Sequence, residues 1–215
     1  MSMSKLQIYN MALRLCKERK LAALTDNREG RKLLDDAWGD GSTTGSVRRC
    51  LEAGQWSFAK RTVRIDYSPS ITPPFGFRYA FDQPTDLVRV TGLFQDEDCQ
   101  VPLTQYTDER RYWYSHLQTI YVQYVSNDAA YGADLSLWPQ MFADTVAADL
   151  AHEIVGNLTQ GSDVKSDVVK EWQYRMKQAR GIDAQTRPTQ MLPQGSWNMA
   201  RGGRNNGSRW SGEFR

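Results

Sequence analysis

The stretch Cys50-Leu51-Glu52-Ala53-Gly54-Gln55-Trp56-Ser57-Phe58-Ala59-Lys60-Arg61 decides the fold, because the apolar period changes inside it. Val47, Cys50 and Leu51 recur at helical spacing as far as Gly54. Beyond Trp56, Val63 and Ile65 alternate with Arg64 and Asp66, the period of a strand. Trp56 and Phe58 stand two apart at the switch, so in an extended segment they share one face. Each buries an aromatic side chain worth roughly 1.5–3 kcal/mol, enough to pin the first strand to the helices.

Upstream, Leu6, Ile8, Tyr9, Ala12, Leu13, Leu15 and Cys16 predict a helix from Ser4 to about Arg19. Thr25-Asp26-Asn27 supplies a cap for a second helix carrying Leu33, Leu34, Ala37 and Trp38. The glycine-rich run Gly39–Gly45 then interrupts it.

Downstream, Pro69, Pro73 and Pro74 mark a loop. Phe75, Phe77, Tyr79 and Phe81 are expected on one face of a strand, with Gly76, Arg78 and Ala80 on the other. Further strands are expected from Val88 to the Asp96-Glu97-Asp98 turn, over Val101–Tyr106, Tyr112–Tyr114 and Ile120–Val125. Pro84 ahead of Asp86 gives the Leu87–Val90 strand a rigid lead-in. Trp56, Phe58, Pro84 and Asp86 are read as residues that fix the fold and carry no chemistry. Helical spacing returns at Phe142, Val146, Leu150, Ile154 and Leu158, with Ser136 as cap and Pro139 in the first turn. Gly161 stops that helix, and Ser162 caps another carrying Val164, Val168, Trp172, Met176 and Ala179.

The fold class is therefore α+β. An antiparallel helical bundle is made by residues 1–54 and 136–184. A small antiparallel β unit, 55–135, is inserted between its halves, and an extended tail, 185–215, follows.

The tail holds five arginines against the single acid Glu213, so it carries +4 while the body carries −2, in a chain of net charge +2. With its glycines and no apolar period, it cannot bury enough surface to offset roughly 1–2 kcal/mol of backbone entropy per residue. Trp197, Met199, Trp210 and Phe214 are anchors for a partner, and Arg201, Arg204 and Arg209 suit an acidic surface. We read it as a partner-embracing arm. A solvated tail is the plainer alternative.

Arg201-Gly202-Gly203-Arg204 also resembles RNA-binding RGG segments, so nucleic-acid binding by the basic tail is the runner-up reading. Against it, a charge of +4 is small for a phosphate lattice.

Catalytic and metal chemistry find little support. His152-Glu153 lacks the second histidine of HExxH, since position 156 is Gly, and a helix interface is the expected place for His152. Gly39–Gly45 lacks the Gly-Lys-Ser/Thr ending of a P-loop. No GxSxG elbow is present, and Asp35-Asp36 and Asp108-Glu109 are adjacent pairs that cannot share a proton easily. The expectation is no enzyme, no cofactor and no metal. Cys16, Cys50 and Cys99, with no CxxC, fit a reducing compartment. Neither a signal peptide nor an apolar run of membrane length is seen, so no membrane is expected.

Four segments together resemble the head–tail adaptors of short-tailed bacteriophages, the tail tubular protein A type. They are Ile8–Cys16, similar to an "N-x-A-L" helix; Cys50–Arg61, similar to a "PW-x-F-A" junction; Tyr79–Val90, similar to "Y-x-L-P-x-D-x-L-R-V"; and Phe142–Ala151, similar to a late "F…L-A" helix. Gln55 and Gln83 depart from that pattern. The resemblance spans roughly residues 6–184. It implies a structural virion protein, made in a host cytoplasm, in a homo-oligomeric ring of twelve between the portal and the tail nozzle. Double-stranded DNA would pass through without being read. At about 3.3 Å per residue the arm could reach on the order of 100 Å, enough to dock on a portal subunit.

Overall fold

The computed structural model describes residues 3–40, 43–159 and 161–186. Three helices come first: α1 (Lys5–Leu15), α2 (Glu29–Trp38) and α3 (Gly45–Ala53). A 3₁₀ turn over Ser57–Ala59 leads into six strands. These are β1 (Lys60–Asp66), β2 (Tyr79–Asp82), β3 (Leu87–Phe94), β4 (Thr107–Glu109), β5 (Tyr112–Ser115) and β6 (Thr119–Ser126). Two long helices close the described chain, α4 (Gln140–Leu158) and α5 (Ser162–Gln185). The fold is mixed α+β, with five α-helices and two small antiparallel sheets among the described residues.

Helix α1 starts where Ser4 accepts from the Gln7 N–H at 3.3 Å while Gln7 Oε1 accepts from the Ser4 N–H at 2.8 Å, a reciprocal capping box. It stops four residues short of Arg19 because Lys17 turns left-handed at φ 61°. The expected cap of α2 does other work: Asp26 accepts from the Ala22 and Ala23 N–H groups, closing the loop ahead of it, and Arg28 takes the cap position. Between α2 and α3 the glycine run does interrupt the helices. Asp40 accepts from the backbone of Thr43 and Thr44 there, and from the Thr43 hydroxyl. Gly45 is required, because at φ 83° a side chain would meet the Trp38 carbonyl at 2.2 Å.

Helix α4 is buried around most of its circumference and touches α1, α2, α3 and α5. Its alanines at 143, 147 and 151 let neighbours approach, and Phe142, Val146, Leu150 and Ile154 fill the spaces left. Pro139 is its cap rather than part of its first turn, and Ser136 instead donates its N–H to Asp134. Ser162 is likewise the first residue of α5, with Gly161 in the cap position.

One sheet has strand order β1-β6-β3 and the other β2-β5-β4. They share a second core of Phe81, Leu93, Leu103, Trp113, Ile120, Val122 and Tyr124. The Ser68 N–H, just past β1, donates to the Ala80 carbonyl of β2 at 2.8 Å, and the Leu103 N–H, in the segment leading to β4, donates to the Leu93 carbonyl of β3 at 2.8 Å.

Two strand expectations fail. Residues 75–78 are not a strand, because two prolines and Gly76 at φ 23° keep them in a loop; Phe75 lies edge-on to Tyr114 and Phe77 lies tilted against His116 instead. Ala80 is as buried as Phe81, so β2 has no polar face there. Nor is Val101–Tyr106 a strand. It makes one bridge, Phe94 to Pro102, and crosses from one sheet to the other.

Candidate functional site

The expected pinning residues meet at the helix–sheet junction. Trp56 is 2% exposed, donates its indole N–H to the Cys50 carbonyl at 2.7 Å, and lies edge-on to Phe142 at 4.9 Å. Phe58 reaches the same ring at 4.8 Å. The backbone between them is not extended, as the spacing suggested. The 3₁₀ turn folds Phe58 back to within 6.3 Å of Trp56, and both pack on α4. Gly54 makes this possible, since a side chain there would meet the Trp56 ring at 2.7 Å.

Asp86 is more than a strand lead-in. It accepts from Arg61 on β1 at 2.9 Å, from the Tyr124 hydroxyl on β6 at 3.0 Å, and from the Ser126 hydroxyl, while its carbonyl accepts from Asn127 N–H at 3.0 Å. Arg61 also lies 5.4 Å from the ring of Tyr131. Burial would raise the Asp86 pKa, but donation from Ser126, Arg61 and Tyr124 outweighs it and holds the carboxyl below its ordinary range. Burial and the adjacent Asp86 charge push the Tyr124 phenol up. Pro84 supports this knot through its carbonyl, which accepts from Leu87 N–H at 3.2 Å.

Sequence reasoning did not find two further polar locks. Asn10, in the first helix motif, pairs with the backbone of Leu21 in both directions, at 3.1 and 2.7 Å, and so fixes the loop after α1. Asp149, 5% exposed in mid-α4, accepts from Arg49 on α3 at 2.9 and 3.2 Å and from the Trp172 indole on α5 at 3.1 Å. Three helices are thereby tied through one carboxylate. Arg49 titrates above its usual range: burial opposes this, and Asp149 and Glu153 more than compensate. His152 stacks on Trp172 at 4.9 Å across the α4–α5 interface, as expected. A carboxylate at mid-helix reads as solvated surface in one dimension, so no sequence signal marked Asp149.

The root of the tail lies beside the junction. Asp183, near the end of α5, accepts from Ser57 N–H at 2.7 Å. A groove of about 450 Å³ opens there, lined by Gly54, Gln55, Trp56, Arg89, Arg180 and Asp183. The expected anchors Trp197, Met199, Arg201, Arg204, Arg209, Trp210 and Phe214 lie outside the described residues, as does the RGG-like segment. Gln185, assigned to the tail from sequence, ends α5.

Among the described residues no group of three His, Cys, Asp or Glu side chains is arranged to hold a metal, and no helix is long and apolar enough to cross a membrane. All three cysteines are free, and burial pushes the Cys16 thiol up to about 11 and that of Cys50 well above its ordinary value. No family model matches this chain, and no curated protein matches it.

Proposed function

We propose that this chain is a head-to-tail adaptor of the short-tailed phage type: a structural ring subunit that joins a portal to a tail nozzle and extends its DNA channel. The reading takes the helices from both ends of the chain as one antiparallel bundle, with the β unit inserted as a separate block. The observation that carries it is the junction. Helices before and after the β segment share one core around α4, and the quoted motif residues Trp56 and Phe58 converge on Phe142 where the β unit leaves it. Such a body suits mechanical work, since an aromatic clamp joins the helical block to the β unit and the Asp86 knot braces the β unit from within.

In this reading the basic arm, rooted near Asp183, docks on the portal. Arms that bind weakly one by one act together when repeated around a closed ring, because each docked arm raises the local concentration of the next. The test is truncation after Thr186, followed by electron microscopy of the protein with and without portal rings. The expected result is a folded subunit that no longer joins the portal. Undiminished assembly would remove the arm from the mechanism.

A further inference from the structure

The hairpin joining β4 to β5 turns through Arg110 and Arg111, whose φ angles are 50° and 75°. A two-residue turn of this hand needs left-handed backbone at both positions, and Asn-Gly meets that need at least cost. Two long cations occupy it here. Their backbone is anchored, since Gln83 N–H donates to the Arg111 carbonyl at 3.0 Å. Both side chains are exposed, and neither forms an ion pair among the described residues. Among the described residues no side-chain partner of either arginine compensates the unfavourable backbone, so a reason for two arginines at this tip is sought outside the subunit.

A nucleic acid is a poor fit. Asp82, Asp108 and Glu109 lie just behind the tip, and Asp108 is held in place by Gln83 at 2.8 Å and Trp113 at 3.1 Å. Those carboxylates would repel a continuous phosphate lattice. A compact acidic feature reaching only the tip fits better.

The chain carries one. In the turn after β3, Asp96 accepts from Gln100 N–H at 2.9 Å and Val101 N–H at 2.8 Å. That folding leaves Glu97 and Asp98 exposed. Arg64, the cation that feels Glu97 from β1, is tied to Asp66 at 3.1 Å. From this turn the chain runs back along β3, through the pairings Gln95 to Val101 and Leu103 to Leu93, and on through β4 to the tip. Acidic turn and basic tip form no ion pair with each other among the described residues. Two exposed features of opposite charge that do not pair within a subunit can pair between copies as a head-to-tail contact, which closes into a ring if the rotation allows.

We propose that the Arg110–Arg111 hairpin tip docks on the Glu97–Asp98 turn of a second copy of this chain, an inference that deepens the ring reading and rests on it for closure. The experiment is charge reversal in the full-length protein, read by sedimentation velocity and electron microscopy with and without portal. Arg110→Glu with Arg111→Glu, and separately Glu97→Lys with Asp98→Lys, should each weaken self-association about tenfold or more. The two sets combined should restore it. Arg110→Asn with Arg111→Gly, which suits the turn, should weaken association without unfolding the subunit and so guards against a folding artefact. The proposal is overturned if hairpin reversal leaves rings intact, if the combined variant is not restored, or if the hairpin variants lose DNA retention in place of association. A wild type that stays monomeric under every condition removes the ring reading as well; rings indifferent to these changes remove only this contact.

Discussion

Asp183, on the last turns of α5, accepts a hydrogen bond from the backbone N–H of Ser57, 126 positions earlier in the chain and 2.7 Å away. The end of the last helix is thereby fastened to the point where helix gives way to strand. Load on the residues that follow α5 reaches the junction through this bond as well as through the packing of α5 on α4.

Removing the acceptor therefore loosens the junction first. Asp183→Ala should cost about 1–2 kcal/mol, the usual loss for a hydrogen bond to a charged group, whereas Asp183→Asn keeps an acceptor and should cost less. Hydrogen exchange would show the Ser57 amide opening faster in the alanine variant. Unchanged protection there would deny Asp183 this role.

Asp86 gives the fold an acid-sensitive lock. Its folded-state pKa lies below the unfolded one, so its contribution is complete above about pH 4 and is lost as pH falls through the folded value. Asp86→Asn should flatten the decline of melting temperature in that window. It should also lower stability at pH 7 by about 2–3 kcal/mol, because Arg61 loses its charged acceptor. An acid profile identical to wild type would assign the pH dependence elsewhere.

Gly54 is required by contact rather than by backbone angle. A methyl group at 2.7 Å from the Trp56 ring forces that ring to shift against Phe142. Gly54→Ala should cost about 1–3 kcal/mol by overpacking, and near-ultraviolet circular dichroism should register the displaced tryptophan. A variant as stable as wild type would mean the junction has slack.

The hairpin tip makes the opposite prediction. Asn-Gly in place of Arg110-Arg111 relieves two left-handed arginines and should stabilise the isolated subunit by about 1 kcal/mol or more, seen as a higher melting temperature. A lower melting temperature would show that the arginines already contribute to the fold of their own subunit.

Much of the helical architecture was legible along the chain, and the reasons are local. The Phe142, Val146, Leu150 and Ile154 series has a single period, and α4 runs through all of it. The period switch after Gly54 is likewise local, and β1 begins six residues on. The misreadings share one cause. Phe75 and Phe77 alternate as a strand would, yet aromatic side chains in a loop can reach partners that alternation does not foresee. Val101 to Tyr106 has the composition of a strand, but its neighbours are two different sheets, and a crossing segment cannot pair along its length with either.

The sequence by itself determined that helix gives way to strand after Gly54, because glycines and apolar periods act over a few residues. It also marked Trp56 and Phe58 as the pinning pair, since burial of large aromatics follows from their size. Only the tertiary structure decided that Asp86 joins two strands and a loop, that Asp149 ties three helices, and that Asp183 reaches Ser57. Each is a carboxylate satisfied by donors far off in the chain. Polar groups look alike in one dimension whether they face water or a partner, and only the folded neighbourhood tells the two apart.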